Sequence, residues 1–381
     1  MKINLIQTYK TTIFDSKGGV ETFISDLVYN GINLKRFNIR VICCTRGKSR
    51  VFHKKGVTFI LYKTLFTFAS TPFSMGYILN FKKNMNWADV IHNHFPWPFF
   101  DFLNSIFNLN KPIIVSYHSD VIKQKFLNKI YNFFVTRSFT KVLNLVATSN
   151  NYISSSPILS KNEFSKKITT IPLSIDELPS LPSINNIHAV LKKYRLKKKT
   201  YVIFIGTLRY YKNITLLLEA APYINADILI VGDGSLKLTY QKFIANQNIK
   251  NVHLLGSVSE EDKNALLSLS SVLVLPSHLR SEAFGLVLLE ASMHGKPMVT
   301  LDIGTGTSFV NLDNKTGFVV KSNNFIKLSL AINKILSDSS LAYKMGNNAK
   351  SRFNNFFKKQ TMISKYERLY KDAIKIYKTK K

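Results

Sequence analysis

Short, β-branched apolar segments alternate with amphipathic stretches along the whole chain. That rhythm belongs to the βαβ repeat of a parallel sheet. In the first half it predicts strands over Ile3–Gln7, Ile39–Cys44, Thr58–Leu61, Val90–His94, Ile113–His118 and Asn144–Thr148. A second series follows over Tyr201–Ile205, Ile228–Val231, Val252–Leu255, Val272–Leu275, Met298–Leu301 and Phe318–Val320. Between the two series lie Pro172, Pro179 and Pro182, several serines and a basic stretch, a composition that suits an interdomain linker. Phe353–Lys381 is helical in pattern. The expected fold is α/β, with two Rossmann-like domains over residues 1–178 and 179–352, and a final helix over 353–381 that packs back on the first. Doubly wound sheets bind ligands outside the C-terminal ends of their strands, so the expected site is a cleft where two such sheets face each other.

The totals agree with two packed domains: 381 residues, 45% apolar and 20% charged. The only cysteines, Cys43 and Cys44, are sequence neighbours, which rarely pair, so a reducing cytoplasm is expected. The N-terminal strand is too short and polar for a signal peptide, and no apolar run reaches the roughly 18 residues of a membrane span. Net charge is the outlier, at +31. Such a field attracts nucleic acid, anionic lipid or phosphorylated substrates without choosing among them. Lysine is spread along the chain, and part of the excess can be compositional. Val121–Val142 mixes Phe, Ile, Leu and Tyr with five cations and no acid. It reads either as an interfacial helix on anionic lipid or as an ordinary domain helix with its apolar side in the core.

The candidate chemistry is densest in Ser281-Glu282-Ala283-Phe284-Gly285-Leu286-Val287-Leu288-Leu289-Glu290. Gly285 is expected to open a helix that Gly295 and Pro297 close, with Glu282 just before it and Glu290 inside it. Backbone N–H groups of Ala283, Phe284, Gly285 and Leu286 would then face an anion at the helix start. Spacing alone also fits a solvent-facing helix start with two unrelated glutamates.

The full string resembles the Glu-x7-Glu motif of the retaining GT-B glycosyltransferases of family 4, also called glycosyltransferase group 1. Lys17-Gly18-Gly19-Val20-Glu21 resembles that family's N-terminal Gly-Gly loop, and Tyr117-His118-Ser119-Asp120 its histidine motif. Phe204-Ile205-Gly206 with Lys212 resembles its first C-domain loop, and Ile230-Val231-Gly232-Asp233-Gly234 the next. Leu255-Gly256-Ser257-Val258 resembles the nucleobase loop. Gly304 to Asn311 resembles a segment of bacterial mannosyl- and rhamnosyl-type members. The resemblance implies a retaining hexosyltransferase that uses a nucleotide sugar, with GDP-mannose the favoured donor and no further cofactor. It implies a lipid-linked glycan acceptor in O-antigen or capsule assembly, at the inner face of the cytoplasmic membrane. His118 would contact the transferred sugar, Glu282 the sugar and Glu290 a ribose.

No Asp-x-Asp occurs anywhere in the chain, so a metal held by that motif is not expected. Cations and helix starts must then neutralise the leaving diphosphate. Lys212 keeps its family place, but Gly206 is followed by Thr207 where many members carry arginine. Arg209, two residues on, is the expected substitute if the loop is extended. His92 and His94 fall on one side of a strand; two histidines alone do not make a metal site, and cleft lining is one reading open to them. Two other classes remain at this stage: a catalytically idle glycan-binding relative, and a basic nucleic-acid-binding protein, although no nucleic-acid reading motif is present.

Overall fold

The computed structural model describes residues 2–16, 18–121, 125–177, 182–196 and 201–379, without the side chains of 125–130. Lys17 of the Gly-Gly loop and Lys123, Lys125 and Lys129 of the basic stretch therefore lie outside the described residues or side chains. The chain forms two compact units, Met1–Ile171 with Gln360–Lys381, and Pro172–Lys359.

The first unit is built on an eight-stranded sheet. In chain order its strands are β1 (Ile3–Tyr9), β2 (Phe37–Thr45), β3 (Arg50–Lys54), β4 (Val57–Lys63), then β7 (Val90–Phe95), β8 (Ile113–Tyr117), β9 (Asn144–Ala147) and β10 (Ile168–Thr170). Strands β5 (Phe66–Phe68) and β6 (Thr71–Phe73) form a separate hairpin. The spatial order is β10-β9-β8-β7-β1-β2-β4-β3. All neighbours are parallel except β3, which runs antiparallel to β4. Every residue of β7 and β8 is buried, as expected for strands covered on both faces. The edge strand β3 is mostly exposed and carries Arg50 and Lys54, charges that discourage edge-to-edge pairing.

Helices Gly19–Tyr29, Met75–Trp87 and Pro98–Ile106 connect these strands. In helix Lys125–Thr140 the described part is a core helix. Val135 and Phe139 are buried, and Tyr131 donates to Asp101 at 2.6 Å. The ordinary-helix alternative therefore holds for residues 131–140, with Phe133 left exposed.

The second unit is a six-stranded, all-parallel sheet. Its strands are β11 (Tyr201–Ile205), β12 (Asp227–Val231), β13 (Val252–Gly256), β14 (Val272–Leu275), β15 (Met298–Leu301) and β16 (Gly317–Val320). They lie in the order β13-β12-β11-β14-β15-β16, the doubly wound pattern with its switch point between β11 and β14. The C-terminal helical stretch is two helices, Ser339–Phe356 and Lys359–Thr379. They part because Phe357 turns into the second unit's core beside Phe284 and Phe309. The last helix belongs to the first unit and buries Met362, Ile363, Tyr366, Tyr370 and Ala373 on one face. Among the described residues no helix is long and apolar enough to cross a membrane.

Candidate active site

The second unit's switch point gathers the residues of the sequence motifs. After β11 the chain turns through Gly206 into a short 3-10 turn, Tyr210–Lys212, and after β14 it runs through Ser277 to Glu282. These two loops meet: the Lys212 ammonium donates to a Glu282 carboxylate oxygen, and both residues are buried. Ser277 donates to the same oxygen at 3.0 Å. The Glu282 carbonyl accepts from Thr305 Oγ1 at 2.8 Å, and the Ala283 carbonyl accepts from Gly306 N–H at 2.9 Å. The Gly304–Asn311 segment thus braces the Glu282 loop. Asn311 is itself buried and bonded to Thr300, Thr316 and the Phe318 carbonyl.

Helix Leu286–Met293 starts at Gly285, whose φ of +78° suits glycine. Its first N–H groups lack intrahelical partners, and its dipole favours an anion there. The Phe284 ring is buried in the core, whereas Leu286 is exposed. Inside the helix, Glu290 takes Lys263 at 3.0 Å, and that lysine also reaches Glu260 at 2.7 Å. Burial raises the Glu290 pKa against the pull of Lys263.

The glycines at the strand ends lie side by side. Gly206 N–H donates to Val231 O at 2.9 Å, and Gly232 N–H to Gly256 O at 2.8 Å. Gly232 has φ +131°, and a Cβ there would stand 2.0 Å from the Gly206 carbonyl oxygen. Only glycine lets these two loops approach so closely. Val258, just beyond, is half-buried against the core.

Arg209 and Thr207 are both exposed, flanking buried Leu208. The backbone between them is not the extended loop expected: Arg209 N–H donates to Thr207 O at 2.9 Å, closing a three-residue turn. Leu208 enforces it, buried and tied through its N–H to Asp233 O at 2.9 Å. Arg209 then enters the turn that carries Lys212, whose N–H donates to the Arg209 carbonyl at 3.0 Å.

In the first unit Gly18 caps helix Gly19–Tyr29. The two glycines differ in what they permit. A Cβ on Gly18 would lie 2.3 Å from the Glu21 carboxylate, whereas one on Gly19 meets nothing within 4 Å. His118 follows β8 directly and is half-buried, with the Phe23 ring edge-on at 5.0 Å. Its Nε2 lies 3.0 Å from His94 Nδ1. His92 and His94 are fully buried, not cleft lining, because both are consumed by internal hydrogen bonds. Beside the ends of β1, β2 and β4 is a polar hollow of about 310 Å³, lined by Lys10, Asp15, Glu21, Thr45, Arg46 and Thr67 among others.

The sequence profile described as glycosyl transferases group 1 matches residues 187–352, and that of glycosyltransferase family 4 matches residues 17–177. The chain is 35% identical over 355 residues to D-rhamnosyltransferase WbpZ of Pseudomonas aeruginosa, spanning 93% of this chain and 92% of that protein. The chain belongs to the group 1 glycosyltransferases. This glycosyltransferase is also 33% identical over 377 residues to O-antigen chain mannosyltransferase C of Escherichia coli, covering 97% of this chain and 98% of the relative. Its fold matches HepE of Anabaena, solved with UDP, at a TM-score of 0.76 and 16% identity, over 98% of this chain and 100% of that one. WaaG, a glycosyltransferase involved in lipopolysaccharide biosynthesis, matches at a TM-score of 0.67 and 16% identity, over 96% and 99%. Two Rossmann-like domains of the GT-B type are the shared architecture.

The sequence motifs did not single out Ser277 or Gln7, whereas Thr305 lies in the Gly304–Asn311 segment that they did. Ser277 stands five residues before Glu282 and looks like any loop serine. Gln7 did leave a signal, an amide directly after the apolar pair Leu5-Ile6 in the strand Ile-Asn-Leu-Ile-Gln-Thr-Tyr.

Proposed function

We propose that this glycosyltransferase is a retaining, metal-independent hexosyltransferase. In this reading it moves a sugar, mannose from GDP-mannose foremost, to a lipid-linked glycan in bacterial surface polysaccharide assembly. The observation that carries the reading is the buried Lys212–Glu282 pair at the switch point beside the start of helix Leu286–Met293. A cation and a helix start beside one another suit a diphosphate, and a carboxylate at the same place suits sugar hydroxyls.

The roles follow from this chemistry. Charge develops on the diphosphate as the glycosidic bond breaks, and Lys212, Arg209 and the helix N–H groups stabilise it. Glu282 accepts hydrogen bonds from the sugar, and Glu290 from a ribose. Gly206, Gly232 and Gly256 let the backbone approach the nucleotide, with Val258 at the base. His118 bonds a sugar hydroxyl, with Gly18 and Gly19 at the head of the helix whose Phe23 touches its ring. The departing phosphate takes the acceptor proton on the face it leaves, which retains configuration. The names of the two relatives, one a rhamnosyl- and one a mannosyltransferase, support a hexosyl donor and an O-antigen setting.

The polar hollow beside Lys10 and Arg46 suits acceptor hydroxyls. Attachment to an anionic membrane surface is supported by charge and by exposed apolar side chains. No acid occurs between Asp26 and Asp89, and Leu65, Phe66, Phe68, Met75 and Leu79 of that stretch are exposed.

The test is nucleoside diphosphate release by the purified protein from a panel of GDP-, UDP- and dTDP-sugars without added metal. GDP-mannose is expected to give the fastest release. Release from none of them overturns the enzymatic reading, and release only with added divalent metal overturns metal independence.

A further inference from the structure

A hydrogen-bonded chain runs through the first unit's core and ends at His118. Ser116 Oγ lies 2.7 Å from His92 Nε2, and His92 Nδ1 lies 2.8 Å from Tyr370 Oη. Gln7 Nε2 donates to the same Tyr370 oxygen at 3.1 Å. The other end of that amide, Gln7 Oε1, lies 2.7 Å from His94 Nε2, and His94 Nδ1 lies 3.0 Å from His118 Nε2. Gln7, His92, His94 and Tyr370 are all fully buried.

Burial drives the three imidazoles toward the neutral form. A neutral imidazole has one N–H and one lone pair, so each bond in the chain dictates the next. Gln7 Oε1 can only accept, which puts the His94 proton on Nε2 and leaves His94 Nδ1 a lone pair. The donor facing that lone pair is His118 Nε2–H. On the other side, Gln7 Nε2 can only donate, so the single Tyr370 proton goes to His92 Nδ1. His92 then donates through Nε2 to Ser116.

We propose that Gln7 is a positioning residue for His118: through His94 it fixes the tautomer in which His118 presents Nδ1 as a bare acceptor to a donor-sugar hydroxyl. Among the described residues His118 Nδ1 has no protein partner, and the ring is half-buried rather than sealed. The specificity consequence is that His118 selects a sugar carrying a hydroxyl, a donor, at the contacted carbon. A deoxy carbon leaves that lone pair unmet. The sugar contact rests on the function proposed above; the tautomer does not.

The experiment therefore reads the tautomer first, without substrate. Full-length protein labelled with 15N-histidine is examined at pH 7 by long-range 1H–15N correlation, and the His118 signals are those lost in His118→Ala. The wild type should show His118 protonated on Nε2. Gln7→Met, which cannot accept from His94, should give His118 a mixture of tautomers. Gln7→Glu, as the buried neutral acid with its proton on the oxygen facing Tyr370, still offers His94 Nε2 a carbonyl oxygen and should keep the wild-type pattern. With GDP-mannose, Gln7→Met should lower GDP release at least about tenfold, the worth of one hydrogen bond, while GDP affinity stays unchanged. Gln7→Glu should restore the rate.

His118 protonated on Nδ1 in the wild type overturns the proposal. So do His118 signals or a rate in Gln7→Met that match the wild type while His118→Ala is impaired. If Gln7→Met does not fold, the wild-type tautomer and its retention in Gln7→Glu decide. Full turnover in His118→Ala overturns the sugar-contact reading alone, because the tautomer is measured without substrate.

Discussion

The Lys212 ammonium and the Glu282 carboxylate neutralise each other at the second unit's switch point, with only 11% and 10% of their side chains exposed. Deleting either one strands the other as a buried charge.

Glu282→Ala should therefore cost about 3–5 kcal/mol of stability in addition to any catalytic loss. Glu282→Gln keeps the acceptor oxygen for Lys212 and Ser277 while removing the charge, so its stability loss should be smaller than that of Glu282→Ala. Its turnover should fall about a hundredfold, comparable to loss of one transition-state donor, with nucleoside diphosphate affinity nearly unchanged. Denaturant unfolding followed by circular dichroism, calorimetry with GDP and steady-state rates check these outcomes. Near wild-type turnover in Glu282→Gln would refute its contact with the sugar.

Arg209 shares a turn with Lys212, but its side chain is exposed where that of Lys212 is buried. If the two together hold the diphosphate, Arg209→Ala should cut the rate by about a hundredfold. Arg209→Lys should recover only part of it, because lysine lacks the bidentate fork. Adding Thr207→Arg to Arg209→Ala should restore activity. An Arg209→Ala enzyme as fast as the wild type makes Arg209 a surface residue.

Acid should weaken the first unit through its buried histidines. Their folded pKa values are depressed, His118 to about 3 and His92 and His94 well below normal, all by burial first. The unfolded chain then binds more protons below pH about 6.5, so stability is present above that value and falls with pH by about 1.4 kcal/mol per unit per histidine. Asp101 acts in the opposite sense. Burial pushes it up to about 7, and its protonation favours the folded state as pH falls through that value. Glu21 is pushed the same way by burial. Asp101→Asn removes the largest offset and should steepen the loss between pH 7.5 and 5.5 by about 2 kcal/mol. Trp87 and Trp97, the only tryptophans, both lie in this unit, so fluorescence in urea reports it alone. An unchanged slope in Asp101→Asn would show that Asp101 is ionised in the folded protein.

Membrane attachment should depend on salt. Liposomes containing anionic lipid should sediment the protein at low ionic strength and release it near 1 M salt, where the screening length shrinks to roughly 3 Å. Replacing Phe66 and Phe68 with serine should weaken sedimentation if the exposed hairpin enters the interface. Charge reversal of Lys123, Lys125 and Lys129 tests the other candidate surface. Equal binding to neutral liposomes rules out the electrostatic account.

Every strand expected from apolar patterning is present, because buried parallel strands write unbroken β-branched runs into the sequence. The strands that escaped are β3, the β5–β6 hairpin and β10. β3 is an exposed edge with no apolar periodicity, and the others are only three residues long. The motif residues of the second unit were legible because loop and helix start are contiguous there. The hydrogen-bonded chain in the first unit was not, since it joins Gln7 to Tyr370 across 363 positions. Local pattern carries no record of such a pairing. His92 and His94 are core rather than cleft because their partners come from β1, β8 and the last helix, which the sequence pattern does not bring together.

The last helix, Lys359–Thr379, closes a unit whose other strands were all laid down before residue 172. A ribosome therefore delivers the whole second unit while the first still lacks Tyr366 and Tyr370. Until they arrive, Gln7, His92 and Ser116 sit in an unsealed core without those hydroxyl partners. The first unit is the first to be synthesised and the last to be finished, so a nascent chain halted before residue 360 should need a chaperone to shield it.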